Sequence, residues 1–189
     1  MKKDVKKEYF SVPNLMGYFR ILLVPVYLAV YLNAETTRDY YIAAGIMVLS
    51  FLTDLFDGKV ARRFDMVTEF GKILDPVADK ITQGTMALSF SFRFPAVRVL
   101  LGIFLIKEIF MGAAGAYMMR KGRRMDGAQM HGKICTAVLD VIMFLLLLIP
   151  DIPGGFVAVL VTVGVAVMLW SLAAYARMYL DMWKEIKKY

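Results

Sequence analysis

The sequence predicts an all-α integral membrane protein, a bundle of six transmembrane helices, and three observations predict it. Of its 189 residues, 59% are hydrophobic, against about 45–50% in a soluble domain. Several apolar runs approach the roughly 20 residues that span a bilayer core. The charged residues, which sum to +7, gather between and beside those runs. In a soluble chain such a balance would point to nucleic acid. Here it suits anionic headgroups and phosphate-bearing substrates, and no nucleic-acid partner is expected. The length accommodates one membrane domain, residues 1–189, and no second sizeable soluble one.

The opening, MKKDVKKEYF, is too polar for the apolar centre of a cleaved signal peptide. The segment before Pro13 is expected as a short amphipathic helix lying on the inner leaflet. The first membrane helix runs from near Val12 to Leu32, before the polar turn NAETTRD. The second starts near Tyr40 and ends at Arg62 and Arg63. The third, from near Thr68 to Ser91, carries charges that a lipid-facing helix would avoid. The fourth covers roughly Pro95 to Met119, before the basic loop RKGRRMDGAQMHGK. The fifth runs to Ile149, where PDIPGG turns the chain, and the sixth ends near Tyr179 before a basic tail, KEIKKY. Cys135 is the only cysteine, which excludes an intramolecular disulfide.

Basic residues set the orientation. Lys2, Lys3, Lys6, Lys7, Arg62, Arg63, the loop after Met119 and the last lysines all fall on one side of a six-crossing chain. Both termini are therefore expected in the cytoplasm, in a cell membrane.

The stretch DLFDGKVARRFDMVTEFGKILDPVAD, residues 54–79, carries the chemistry. Asp54 and Asp57 are three apart on the second helix, and Asp75 and Asp79 four apart on the third, so each pair shares a helix face. A short turn makes the helices antiparallel neighbours, so both pairs lie toward the same end and converge. An acid at the helix centre costs at least about 2.5 kcal/mol and ordinarily marks a functional site. A divalent cation removes the conflict, and all-oxygen ligands select hard ions such as magnesium, manganese or calcium. Without a Cys/His cluster, zinc is not expected. Gly58, Ala61 and Gly71 either let a ligand approach the backbone or let helices pack closely. Pro76 removes a backbone donor beside the acids.

This stretch resembles, position for position, the signature of the CDP-alcohol phosphotransferase family, D-x2-D-G-x2-A-R-x8-G-x3-D-x3-D. The resemblance implies a six-helix, usually homodimeric, membrane enzyme. It implies Asp54, Asp57 and Asp75 as metal ligands, with Asp79 near the metals and acting as general base. Two Mg²⁺ or Mn²⁺ ions per site are implied, with Asp54, Gly58, Ala61, Arg62 and Gly71 shaping the CDP pocket.

Two further segments resemble the branch that uses CDP-diacylglycerol. PNLMGYFRILLVP, residues 13–25, is similar to that branch's P-N-x-x-T-x-x-R-x-x-x-x-P, with Asn14 and Arg20 matching and Gly17 in place of threonine. EFGKILDPVADKI, residues 69–81, is similar as well. Arg20 is a candidate phosphate ligand, with snorkelling to the interface as the alternative. Lys107, Arg120 and Lys133 are candidates to hold an acceptor phosphate. For Arg120 the alternative is a topology-setting charge. Lys107 stands where the branch often has arginine, and Cys135 where it has lysine. His131, the single histidine, reads as an interfacial, solvated side chain.

The reading that results is transfer of a phosphatidyl group from CDP-diacylglycerol to glycerol 3-phosphate, releasing CMP. A CMP-forming cardiolipin synthase with phosphatidylglycerol as acceptor is the alternative, followed by inositol phosphate or serine as acceptor. A cation transporter is the reading from another class. It fits less well, because both acid pairs sit toward one membrane face and do not line a path across it.

Overall fold

The computed structural model describes residues 8–122 and 129–187, without the side chains of Arg62 and Lys187. Six helices follow in order: α1 Val12–Leu32, α2 Thr37–Arg63, α3 Gly71–Arg93, α4 Val97–Arg120, α5 Met130–Leu148 and α6 Gly154–Lys187. There is no strand among the described residues. The expected N-terminal amphipathic helix lies outside the described residues, apart from its end at Glu8–Phe10. So do Lys2, Lys3, Lys6, Lys7, Arg123 and Arg124.

Five of the six helices are long and apolar enough to cross a membrane, and α3 is the exception. Its 23 residues reach about 35 Å, enough to span. Lys72, Asp75, Asp79 and Lys80 interrupt its apolar character. Large apolar side chains elsewhere face outward: Leu22, Ile106, Ile109, Val141 and Val159 are each more than half exposed. In water such a surface would aggregate; in a bilayer it is the solvated face.

Helix ends follow from local capping. At α1, Ser11 Oγ accepts from the Asn14 amide and Pro13 sits in the first turn. α2 begins at Thr37, three residues before the expected start, because Thr36 and Asp39 form a reciprocal capping box. α3 begins at Gly71, since Thr68 acts as a cap: its Oγ1 accepts from the Gly71 amide at 2.9 Å. The largest difference is at α6, which continues past Tyr179 to Lys187. No glycine or proline follows Gly164 to stop it. Its 34 residues extend about 51 Å, beyond the roughly 30 Å hydrocarbon core.

The described chain forms two compact units. In the first, which runs to Ser89 and includes Leu147–Asp151, α1 packs along α2. Ala43, Ala44 and Met47 on α2 are almost fully buried, as is Tyr27 on α1. The Tyr27 hydroxyl lies 2.7 Å from Ser89 Oγ, which ties α1 to α3. In the second unit α4 packs on α6. A Cβ at Gly164 would stand 2.9 Å from Leu100 Cδ1 and 3.1 Å from Ile142 Cδ1, so this glycine lets α6 approach α4 and α5.

Candidate active site

Arg20 lies eight residues into α1, about 12 Å from its start. Its side chain is only 3% exposed, so it does not snorkel to the interface. Instead its Nη1 donates to Asp54 Oδ1 and to Asp79 Oδ1, the latter at 2.5 Å. Its Nη2 stands 3.7 Å from Asp57 Oδ2. One guanidinium thus gathers carboxylates from both acid pairs, the convergence that the helical spacing predicts. The physical reason is cost: a buried arginine and acids on membrane helices are each expensive alone, and pairing offsets much of both penalties.

The acids differ in access. The Asp57 side chain is 5% exposed, whereas that of Asp54 is 37% and that of Asp79 is 49% exposed. Asp54, Asp57 and Asp75 line a cavity of about 460 Å³, together with Gly58, Ala61, Gly71 and Asn14. These small residues therefore border open space, as a ligand-binding role requires. Arg62 follows Ala61 in α2, and its side chain lies outside the described residues. A neighbouring cavity of about 590 Å³, lined by Phe10, Val12 and Asp65–Thr68, adjoins it.

The donor set fits a hard divalent cation. It is all carboxylate oxygen, and Asp57 Oδ2 is buried without a hydrogen bond. As the side chains stand, no three acidic, histidine or cysteine groups among the described residues close around one ion. The guanidinium of Arg20 stands among them.

Gly71 has a second reason to be glycine. A Cβ there would lie 2.7 Å from Asn14 Oδ1 and 3.0 Å from Thr68 Oγ1. Asn14 is 2% exposed, and its Nδ2 donates to the Glu8 carbonyl at 2.8 Å and to Thr68 Oγ1 at 3.1 Å. Glu8 in turn accepts from the Phe70 amide at 3.0 Å, and Tyr9 packs on the Phe70 ring. The start of α1 and the residues before α3 are laced together across the turn at Gly71. Thr68 and Glu8 were not among the residues singled out from sequence. The T-x-x-G spacing before α3 was the available signal for Thr68, while Glu8 had none. Gly17, where threonine is expected, faces Leu74, whose Cδ2 would stand 3.0 Å from a Cβ. Leucine fills that space.

Gly71→Ala is therefore expected to destabilise the protein by about 1–3 kcal/mol, read as a lower melting temperature in detergent. Asn14 is held by two bonds and cannot swing aside cheaply. Combining it with Asn14→Ala removes the closer of the two contacts and leaves only that with Thr68 Oγ1, so Gly71→Ala should cost less in the Asn14→Ala background than in the parent.

The other candidates sit in the second unit. Lys107, on α4, is 5% exposed, and its Nζ donates to Glu108 at 2.8 Å. Arg120 is exposed at the end of the same helix, about 20 Å along the axis. Lys133 is exposed in the first turn of α5. The structure does not draw Lys107 and Arg120 together. His131, in the first turn of α5, is half-buried rather than fully solvated. It packs edge-on to Tyr175 with ring centres 4.2 Å apart and lies near Trp170, its Nε2 buried. Gly132 is glycine because a Cβ would collide with the Tyr175 hydroxyl.

The sequence is also similar to known proteins. The family model for CDP-alcohol phosphatidyltransferase matches residues 10–174. A protein of Shigella flexneri serotype 5b (strain 8401), named CDP-diacylglycerol--glycerol-3-phosphate 3-phosphatidyltransferase, is 32% identical over 170 residues. The match covers 88% of this chain and 93% of that relative. A protein of the same name from Escherichia coli (strain K12) is 31% identical over the same shares.

Proposed function

Because the chain belongs to the CDP-alcohol phosphatidyltransferase family, we propose that it transfers the phosphatidyl group of CDP-diacylglycerol to glycerol 3-phosphate and releases CMP. The observation that carries this reading is the identity across 88% of the chain to relatives whose name states that donor and acceptor. The acid-lined cavity is a chemically suitable place for it.

Asp54, Asp57, Asp75 and Asp79 would hold two Mg²⁺ or Mn²⁺ ions, which when bound neutralise the donor pyrophosphate and the departing CMP. Gly58, Ala61 and Gly71 leave room for the CDP moiety along the cavity wall, beside Arg62. Asp79, the most open of the three acids paired with Arg20, accepts the proton of the acceptor hydroxyl. The hydroxyl oxygen then bonds to the phosphatidyl phosphorus as the bond to CMP breaks. Lys107, Arg120 and Lys133 are proposed as alternative anchors for the acceptor phosphate, with Lys107 already buried and ion-paired.

The segregation of basic residues supports a cytoplasmic site with both termini on that side of a bacterial inner membrane. Family membership supports a homodimer, and mass measurement in native lipid should find two copies. A monomer at every protein-to-lipid ratio would contradict that assembly.

The deciding experiment measures CMP released by purified protein from CDP-diacylglycerol with glycerol 3-phosphate, phosphatidylglycerol, inositol phosphate or serine. Glycerol 3-phosphate is expected to support release, and the others to stay near the no-acceptor background. Phosphatidylglycerol as the preferred acceptor would instead make the protein a CMP-forming cardiolipin synthase. Chelator should abolish the reaction, and excess magnesium or manganese should restore it.

A further inference from the structure

We propose that Arg20 is the resident counter-ion of the acid cluster in the metal-free protein, and that a divalent ion binds by displacing its guanidinium. This rests on the reading of the four aspartates as a metal site. Three features of Arg20 point to it. Its side chain is 3% exposed, in contact with acids from both pairs. Its bonds to Asp54 and Asp79 occupy oxygens that an ion would need, so guanidinium and cation compete for the same ligands. Its Nε and Nη2 are buried without hydrogen bonds. A structural arginine in a settled ion-pair network would have these donors satisfied.

The arrangement has a physical logic. Acids at membrane depth repel one another, and without a cation the helices α2 and α3 would be forced apart. A covalently attached positive charge holds them together until metal arrives. It also weakens apparent metal affinity, because the ion must replace a partner already in place. Arg20 is thus a positioning residue that sets the metal requirement.

The test is calorimetric titration of Mg²⁺ and Mn²⁺ into chelator-stripped protein, without donor or acceptor, alongside melting temperatures in the metal-free and metal-loaded states. Arg20→Gln should melt lower than the parent when metal-free, yet bind metal about tenfold tighter or more, because one positive charge has left the site. Arg20→Lys should lie between. If Arg20→Gln folds only with metal, it is purified loaded and diluted into chelator, and ion loss slower than in the parent is expected. Affinity equal to or weaker than the parent's in Arg20→Gln, or equal or faster ion loss, would overturn the proposal while leaving the metal site intact. No saturable binding in parent or variants would remove the metal reading itself, and the competition with it. Asp57→Asn serves as the reference: it should weaken binding in both backgrounds.

Discussion

Asp79→Asn is expected to lower the single-turnover rate by about 10²- to 10⁴-fold, the usual contribution of a general base, while donor affinity stays within a few-fold of the parent. An alcohol is far too weak an acid to ionise unaided near neutrality, so loss of the basic carboxylate falls on the chemical step. Asparagine keeps the shape and one oxygen, which limits the damage to ion binding. The structure gives Asp79 the access that the role needs, with a side chain half exposed and only Oδ1 engaged by Arg20. Donor affinity and single-turnover rate, both at saturating magnesium, are the measurements. A rate within a few-fold of the parent's would assign the base to another group.

Asp57→Asn is expected to act on binding first. This acid is almost fully buried, faces Arg20 at 3.7 Å and lines the acid-walled cavity. Substituting it removes a charge that an ion and its pyrophosphate partner both depend on. Affinity for metal and for donor should fall together by at least about tenfold, the equivalent of 1.4 kcal/mol, and turnover should fall with them. The contrast with Asp79→Asn is diagnostic, since one variant loses rate at nearly constant donor affinity and the other loses affinity. Equal donor affinity in Asp57→Asn and parent, at limiting magnesium, would sink the assignment. Removing one member of a buried charge group also leaves its partner uncompensated, typically at about 3–5 kcal/mol. A lower melting temperature of the metal-free variant is therefore expected as well.

The sequence by itself determined the membrane class, the six helices and the identity of the acids. Those features depend on local quantities: the length of apolar runs, the spacing of residues along a helix, and a signature written in consecutive positions. Asp54 and Asp57 share a face, as do Asp75 and Asp79, because helix geometry allows nothing else. Most helix positions were legible for the same reason, and their ends shifted only where a side-chain cap or its absence decided. Thr36 and Asp39 moved one boundary outward, Thr68 moved another inward, and the lack of any glycine or proline let α6 run on.

What only the tertiary structure decided lies between residues far apart in the chain. Arg20 read equally well as a phosphate ligand or an interfacial side chain, because a sequence does not record what faces it across 34 or 59 positions. Gly71 read as either a ligand contact or a packing site, and it proved to border both a cavity and the carboxamide of Asn14. His131 read as an interfacial, solvated side chain, and folding brings Tyr175 and Trp170 of α6 against it. For Gly71 the deciding effect is steric, and for Arg20 and His131 it is desolvation. A charge or polar group is settled by its spatial neighbours, and only folding brings those neighbours to it.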